Sequence, residues 1–306
     1  MDVAEAAGEY LAAKTTLRPA SHSWYTSRLA VFSQWCEEHH LQLEQVKAKV
    51  IGEFIDYVAA TRTPHKADAP ISTYTLAGYV CVIKAFLHFC LEDEEYSEFV
   101  KPIVVKRIKL PRITQTIIDI FTDEQVEALI KACKQNYNDH LRARDECIVM
   151  VLLSTGVRSD ELCTLTIAHV HLDPKDSYIK VLGKGRKERE VPLDEQPRRL
   201  LKKYLRQFRA GAKPDTTVFV DRSCAHPLGK DALQGIFERL GKWAQVSGVR
   251  CSPHTCRHYF AAHFWQEHQD IYALSRILGH ASVNVTEHYL RSLSSIAVRL
   301  ALQRVK

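Results

Sequence analysis

Two prolines, Pro102 and Pro111, bracket the stretch "IVVKRIKL", and this break limits what the chain can fold into more than any other feature. Proline disfavours helix in the residue ahead of it, so the stretch reads as a basic, extended interdomain linker. The two flanks differ in charge. Residues 1–108 carry 11 Lys/Arg against 14 Asp/Glu, whereas 109–306 carry 31 against 22. A chain of 306 residues with 46% hydrophobic content can bury two cores, and the basic excess on the second half suits a polyanionic partner. No run of eighteen apolar residues or signal peptide is present, so the expected location is cytoplasmic, nucleoid-associated and away from membranes. Most of the nine scattered cysteines read as buried reduced thiols.

The first flank reads as helices. Trp24, Leu29, Phe32 and Cys36 share one face of a helix capped at Ser21 or Ser23. Val50, Ile51, Phe54, Ile55 and Val58 mark a second helix, and Leu76, Val80, Ile83, Phe86 and Leu87 a third. The acidic run Glu92–Glu95 reads as a solvated helix end. Beyond the linker, Thr122 and Gln125 form a capping box with Phe121 as its staple. A helix over "DHLRARDECIVMVLLSTG" stops at Gly156. Two strands, Tyr178–Leu182 and Glu188–Val191, join through a glycine-bearing turn, and "TTVFV" is a further short strand. The expected fold is mainly α with a small β-hairpin or sheet (α+β), divided as 1–108, a linker over 109–118, and 119–306.

Several residues of the second half suit phosphodiester chemistry, which needs charge neutralisation, a nucleophile and a proton for the departing oxygen. Arg158 opens "RSDEL" after the Gly156 break, and its planar fork suits a phosphate. Glu161, three residues on, can orient that guanidinium or lie exposed. His254 and Arg257 form an i, i+3 pair on one helical face behind Ser252 and Pro253, at a helix start that itself favours anions. Lys184 occupies the hairpin turn between Gly183 and Gly185 and can protonate a leaving oxygen, with Lys187 competing for the role. His280 follows the helix stop Leu278-Gly279, and Tyr289 lies nine residues later. A phenol ionises at a pKa of about 10, so Tyr289 needs cations or a base nearby to attack at neutral pH. No paired-carboxylate motif for Mg²⁺ is evident, and no metal or other cofactor is expected.

In chain order, "TGVRSDEL", "GKGRKEREVPL", "SPHTCRH", "ILGH" and "EHYLRS" resemble the catalytic domain of the tyrosine recombinase (phage integrase) family. The resemblance spans residues 118–306 and assigns the family's set to Arg158, Lys184, His254, Arg257, His280 and Tyr289, with Glu161 as the accessory acid. The first domain resembles, more loosely, the helical, SAM-like core-binding domain that closes on DNA. The resemblance implies attack by Tyr289 to give a 3′-phosphotyrosine. Arg158 and Arg257 would stabilise the transition state, Lys184 would be the general acid, His254 would transfer protons and His280 would hold the phosphate. It also implies double-stranded DNA with inverted-repeat core sites, a homo-tetramer on DNA that is monomeric or weakly associated when free, Holliday-junction strand exchange, and room for an accessory DNA-bending protein. Leu290-Arg291-Ser292 departs from the Thr-His-Val usual in Xer enzymes, which favours a mobile-element integrase. Xer-like resolution and a type IB topoisomerase-like enzyme are the alternatives. The chain reads as too short for an arm-binding domain. Leu293, Ile296, Ala297 and Leu300 make an apolar face on the tail helix that can pack in cis or on a neighbouring protomer.

Overall fold

The chain divides into two units, Met1–Gln115 and Thr116–Lys306. The computed structural model describes residues 1–61, 71–113, 117–183 and 187–303, with 294–303 described by backbone alone.

The first unit is helical: α1 (Val3–Ala13), α2 (Pro19–Glu38), α3 (Ala48–Thr61), α4 (Thr73–Glu92) and the short α5 (Pro102–Arg107). Helix α1 was not expected. Asp2 caps it by accepting from the Ala4 and Glu5 N–H groups, and Val3, Ala6, Ala7 and Tyr10 are buried. Helix α2 begins two residues ahead of Ser21, because Pro19 takes the first helical position, where its missing N–H is not needed. Leu29, Phe32 and Cys36 are buried as the spacing predicts, but Trp24 remains 37% exposed, with the Arg28 guanidinium over its ring. Segment 102–107 is helix instead of extended chain. Pro102 starts it, and Lys106 and Arg107 face the negative end of its dipole. The acidic run closes α4 in solvent as expected, with Glu92, Glu94 and Glu95 exposed. Helix α4 has the length and composition to cross a membrane, yet Tyr79, Val80, Ile83, Phe86 and Leu87 are buried in this core.

The second unit contains α6 (Asp123–Cys133), α7 (Asp139–Thr155), α8 (Ser159–Cys163), β1 (Val170–Asp173), β2 (Asp176–Leu182), β3 (Glu188–Pro192), α9 (Glu195–Phe208), α10 (Lys230–Trp243), α11 (Pro253–His268), α12 (Ile271–Leu278) and α13 (Val283–Gln303). The Thr122–Gln125 capping box forms as read, and Phe121 joins Val126 in one buried cluster. Helix α7 is buried along most of its length, its second half (Cys147–Leu153) apolar, and it packs against α6, α9 and α11. The antiparallel sheet runs β1-β2-β3, with Ile179 opposite Val170 and Val191. Period-two alternation turns Ile179, Val181 and Val191 into the core. Strand β1 was missed because its alternation covers only four residues. The "TTVFV" stretch forms no strand. Its backbone makes isolated bridges, Thr217 to Thr166 and Val220 to Pro227, while Val218 and Phe219 supply buried side chains. In α13, Leu293 is buried beside Ile120, Ala261 and Leu274. The side chains of Ile296, Ala297 and Leu300 lie outside the described residues.

Candidate active site

Two left-handed glycines organise the site. Gly156 (φ 60°) stops α7 and Gly279 (φ 63°) stops α12. A Cβ at Gly156 would lie 2.4 Å from the Phe260 ring, and one at Gly279 would lie 2.8 Å from the Arg189 guanidinium, so both space and backbone conformation require glycine. The carbonyls freed at these two helix ends then hold three arginines. Arg257 Nη1 donates to Gly156 O (2.6 Å) and its Nη2 to Leu278 O (2.8 Å). Arg158 Nη2 donates to Gly279 O (3.2 Å), and Arg189 Nε to Ile277 O (2.7 Å). Helix C-terminal carbonyls carry partial negative charge, so they position guanidinium groups without cancelling them.

One carboxylate serves this cluster. Glu161 is 3% exposed and accepts two bonds from Arg189 (2.7 and 2.8 Å), one from Arg158 Nη1 (3.0 Å) and one from the Arg158 N–H (2.8 Å). Burial pushes its pKa up. The Arg189 bonds, the Arg158 N–H and the two positive charges outweigh that and hold it below the usual carboxylate range. Three guanidinium groups against one carboxylate leave the pocket positively charged. Burial, with Arg158 nearby, lowers the Arg257 pKa to about 10, which still leaves it protonated at neutral pH.

Helix α11 carries the expected His254–Arg257 pair. Ser252 caps it by accepting from the Thr255 N–H, and Pro253 takes the first helical position. His254 is the exposed residue of an otherwise buried first turn. Partial desolvation, then the charges of Arg257, Arg250 and Arg158, lower its pKa. His280 sits where α12 has ended. Arg257 Nη2 lies 3.1 Å from its Nε2, and its Nδ1 lies 2.8 Å from the Oγ1 of buried Thr286. A guanidinium only donates, so Nε2 accepts and Nδ1 carries the proton. Burial and the three arginine charges push the His280 pKa down to about 4.

Tyr289, on α13, is half-buried beside these groups. Its hydroxyl lies 2.5 Å from Nδ1 of His258, and the His280 ring stands edge-on to it at 5.6 Å between centroids. Burial raises the phenol pKa above its ordinary value, while Arg257, by charge and hydrogen bond, and Arg158, by charge, pull the other way. The ring nitrogen bonded to the phenol thus belongs to His258, not to His254. Burial, followed by His254 and Arg257, pushes the His258 pKa to about 4, so it is neutral at pH 7.

The structure brings Arg158, Glu161, His254, Arg257, His280 and Tyr289 into one neighbourhood of the second unit. Lys184 lies outside the described residues. Its flanks are described: Gly183 N–H donates to Lys187 O (2.8 Å), and both residues line a cleft of about 1150 Å³ with Arg158, Arg189, Arg276 and His280. The competing Lys187 is exposed at that rim. Reasoning from sequence missed Arg189, His258 and Thr286. A usable signal existed for two of them. Arg189 shares the inward face of β3 with Val191, and His258 continues the 254/257/261 stripe of α11.

Comparison with known proteins follows this geometry. Residues 119–295 match the family described as "Phage integrase family". The chain belongs to the phage integrase family. It is 30% identical over 271 residues to the tyrosine recombinase XerD of Pseudomonas aeruginosa, covering 87% of this chain and 84% of that protein. It is 34% identical to XerD of Chlamydia pneumoniae over 221 residues, 70% of this chain and 69% of that one. In fold, it resembles the XerH site-specific recombinase bound to palindromic difH substrate (TM-score 0.76, 21% identity, 92% of this chain and 79% of that chain). It also resembles the Tn1549 transposon integrase in complex with transposon right end DNA (TM-score 0.73, 17% identity, 98% and 100%). The expected phage integrase fold, mainly helical with a small sheet, is the observed one, and the reading of the sequence as a tyrosine recombinase stands.

Proposed function

We propose that this phage integrase family member is a site-specific DNA recombinase acting through Tyr289 on double-stranded DNA with inverted-repeat core sites. The observation that carries the reading is the phenol of Tyr289 standing beside the His280 ring that Arg257 holds, with Arg158 fixed to the neighbouring Gly279 carbonyl. A scissile phosphate bound at Arg158 and Arg257 would have its non-bridging oxygens neutralised by fixed donors, which is where charge grows during attack. Tyr289 Oη then forms the bond to phosphorus, giving a 3′-phosphotyrosine and a free 5′ oxygen. Lys184, from the β2–β3 turn, donates the proton to that oxygen. His254 borders the phosphate site and takes part in proton transfer. His280 can hold a phosphate oxygen once its Nε2 leaves Arg257 and takes up a proton, which the negative charge of the substrate favours. Glu161 positions Arg158. The phosphotyrosine conserves the bond energy, so a partner strand's 5′-hydroxyl can rejoin it, four protomers exchanging strands through a Holliday junction in the nucleoid.

The biological role fits a mobile-element integrase, on the Leu290-Arg291-Ser292 wording after the nucleophile. Xer-like resolution is the second reading, favoured by the likeness to the XerD proteins. DNA flanking the gene separates the two: inverted half-sites at element ends support integration, a replication-terminus site supports resolution.

The test of the chemistry is a covalent trap. Wild-type protein is incubated in EDTA with a randomised inverted-repeat duplex pool, and the DNA left attached after denaturation is recovered and sequenced. Adducts on a defined site are expected, none with Tyr289→Phe, with DNA binding retained. An adduct surviving Tyr289→Phe moves the nucleophile elsewhere, to Tyr259 or Tyr272, and loss of the adduct in EDTA removes the cationic mechanism.

A further inference from the structure

Any attack by Tyr289 has to dispose of a proton. Burial makes the phenol harder to ionise than a free tyrosine, so a phenolate is scarce and the proton must leave as the bond to phosphorus forms. Arg158, Arg189 and Arg257 have no lone pair to accept it. The Nε2 lone pair of His280 is occupied by Arg257, and its ring meets the phenol edge-on at 80°. The contact of 2.5 Å from Tyr289 Oη to His258 Nδ1 provides an acceptor. The two rings lie 5.3 Å apart with 31° between their planes, so the short contact comes from two well-packed groups on adjacent helices.

We propose that His258 is the general base for Tyr289, taking the phenol proton on Nδ1 as the phenolic oxygen attacks phosphorus. The assignment rests on the recombinase reading above and adds a residue to it. In the forward step the Oη–H bond breaks and the proton passes to Nδ1 while the Oη–P bond forms. The P–O5′ bond breaks with its electron pair on the 5′ oxygen, which is protonated by the general acid. In the reverse step the 5′-hydroxyl attacks and the His258 imidazolium returns its proton to the phenol.

A weak base becomes a sufficient one only once DNA is bound. His258 is neutral in the free protein because it is buried near two other groups of α11, His254 and Arg257; from α13 it is faced by Tyr289. A phosphate seated on Arg158 and Arg257 brings negative charge beside the ring and raises its proton affinity. Held by Arg257, that phosphate would also offset the positive charge that keeps His258 neutral. The base is thereby activated by the substrate it serves.

The test uses the duplex site recovered by the covalent trap, in single-turnover cleavage. His258→Asn places a carbonyl near the Nδ1 position, able to hold the phenol but not to take its proton. Cleavage is expected to fall about 100-fold, the lower end of general-base effects, with DNA binding and melting temperature near wild type. Replacing Tyr289 by a ring-fluorinated tyrosine, which ionises nearer neutrality, is expected to restore about tenfold or more of the rate in His258→Asn. A variant within about threefold of wild type, or a loss that the fluorinated phenol leaves untouched, overturns the base assignment. Should His258→Asn not fold, the wild-type protein decides through ¹⁵N-resolved histidine spectra. The assignment requires unprotonated Nδ1 and protonated Nε2 on His258, and the opposite tautomer overturns it. Wild-type protein that forms no adduct on any DNA counts instead against the recombinase reading, and the tautomer then still reports on the proton acceptor.

Discussion

The two units bury different things. In the first, the large buried side chains are aromatic and aliphatic, among them Tyr10, Phe32, Phe54, Phe86 and Tyr96, and Ser33 is the buried polar residue among those described. In the second, His140, Arg144, Asp145, Glu161, Arg198 and Arg257 are all buried. Burying charge is costly unless every group is partnered, so each of these charges in the second unit has to be met by another group. The buried charges fall into two sets. Arg144, Asp145 and Arg239 tie α7 to α10 and to the Val220 carbonyl, away from the phenol. Glu161, Arg158 and Arg189 tie α8 to β3 and α12, around it. The first set joins elements together; the second prepares a positive pocket.

The sharpest way to break that distinction is a matched pair of deletions. Glu161→Ala and Asp145→Ala each leave buried arginine charge uncompensated, and each is expected to destabilise by about 3–5 kcal/mol in denaturant unfolding. Their effects on chemistry should differ. At a temperature where both remain folded, Glu161→Ala should lower single-turnover cleavage by orders of magnitude, because Arg158 and Arg189 lose their anchor. Asp145→Ala should cleave at near the wild-type rate. Equal losses of cleavage would mean that the two sets are one network. A comparable change in the first unit, Phe86→Ala, removes a ring packed edge-on to Tyr10 at 5.9 Å and should cost about 3–5 kcal/mol. That cost should be the same at pH 7 and pH 5, since nothing that titrates is removed.

How legible these features were from sequence depends on how far apart in the chain the partners lie. Local signals were read correctly: the Thr122–Gln125 box, the Gly156 and Gly279 stops, the Ser252-Pro253 opening of α11 and the β2–β3 hairpin all involve neighbours within a few residues. Arg158, His254, Arg257, His280 and Tyr289 were singled out because motif wording carries them, and the fold brings them into one neighbourhood. Glu161 was linked to Arg158 at i+3, but its closest partner, Arg189, is 28 residues away and becomes visible only once β3 pairs beside α8. The Tyr289–His258 contact spans 31 residues and depends on how α13 packs on α11. Proline misled in both directions, since Pro102 and Pro19 start helices where the sequence reading placed a linker or nothing. Lys184 was legible as chemistry and lies outside the described residues.

Acidity separates the units further. Two imidazoles of the site, His258 and His280, have folded pKa values of about 4, against about 6.5 for a free histidine. Between those values the unfolded chain binds protons that the folded site refuses, so stability falls as pH drops from about 6.5 towards 4. Each imidazole contributes about 3 kcal/mol to that fall at most, from about 1.4 kcal/mol per tenfold change. Melting of wild type and His258→Asn followed from pH 7 to pH 4 should show a shallower decline in the variant. Parallel curves would mean that His258 is as easily protonated when folded as when unfolded.

The smallest expected effect tests the comparison most finely, because it holds stability constant. Thr122 caps α6 through the Gln125 N–H, and Ser252 caps α11 through the Thr255 N–H. Removing either hydroxyl with Thr122→Ala or Ser252→Ala should cost about 1 kcal/mol. Helix α6 presents no member of the site, whereas the first turns of α11 present His254, Arg257 and His258. Ser252 Oγ also lies 2.9 Å from Thr255 Oγ1, which in turn donates to Arg250 O, so that cap fixes the approach to the helix as well as its first turn. Fraying there loosens the hold of Arg257 on the Gly156 and Leu278 carbonyls. Ser252→Ala should therefore slow cleavage severalfold while Thr122→Ala leaves it unchanged, although the two proteins melt together. If both variants cleave at the wild-type rate, Arg257 is held by its carbonyl partners alone, and the helix that carries it contributes only a scaffold.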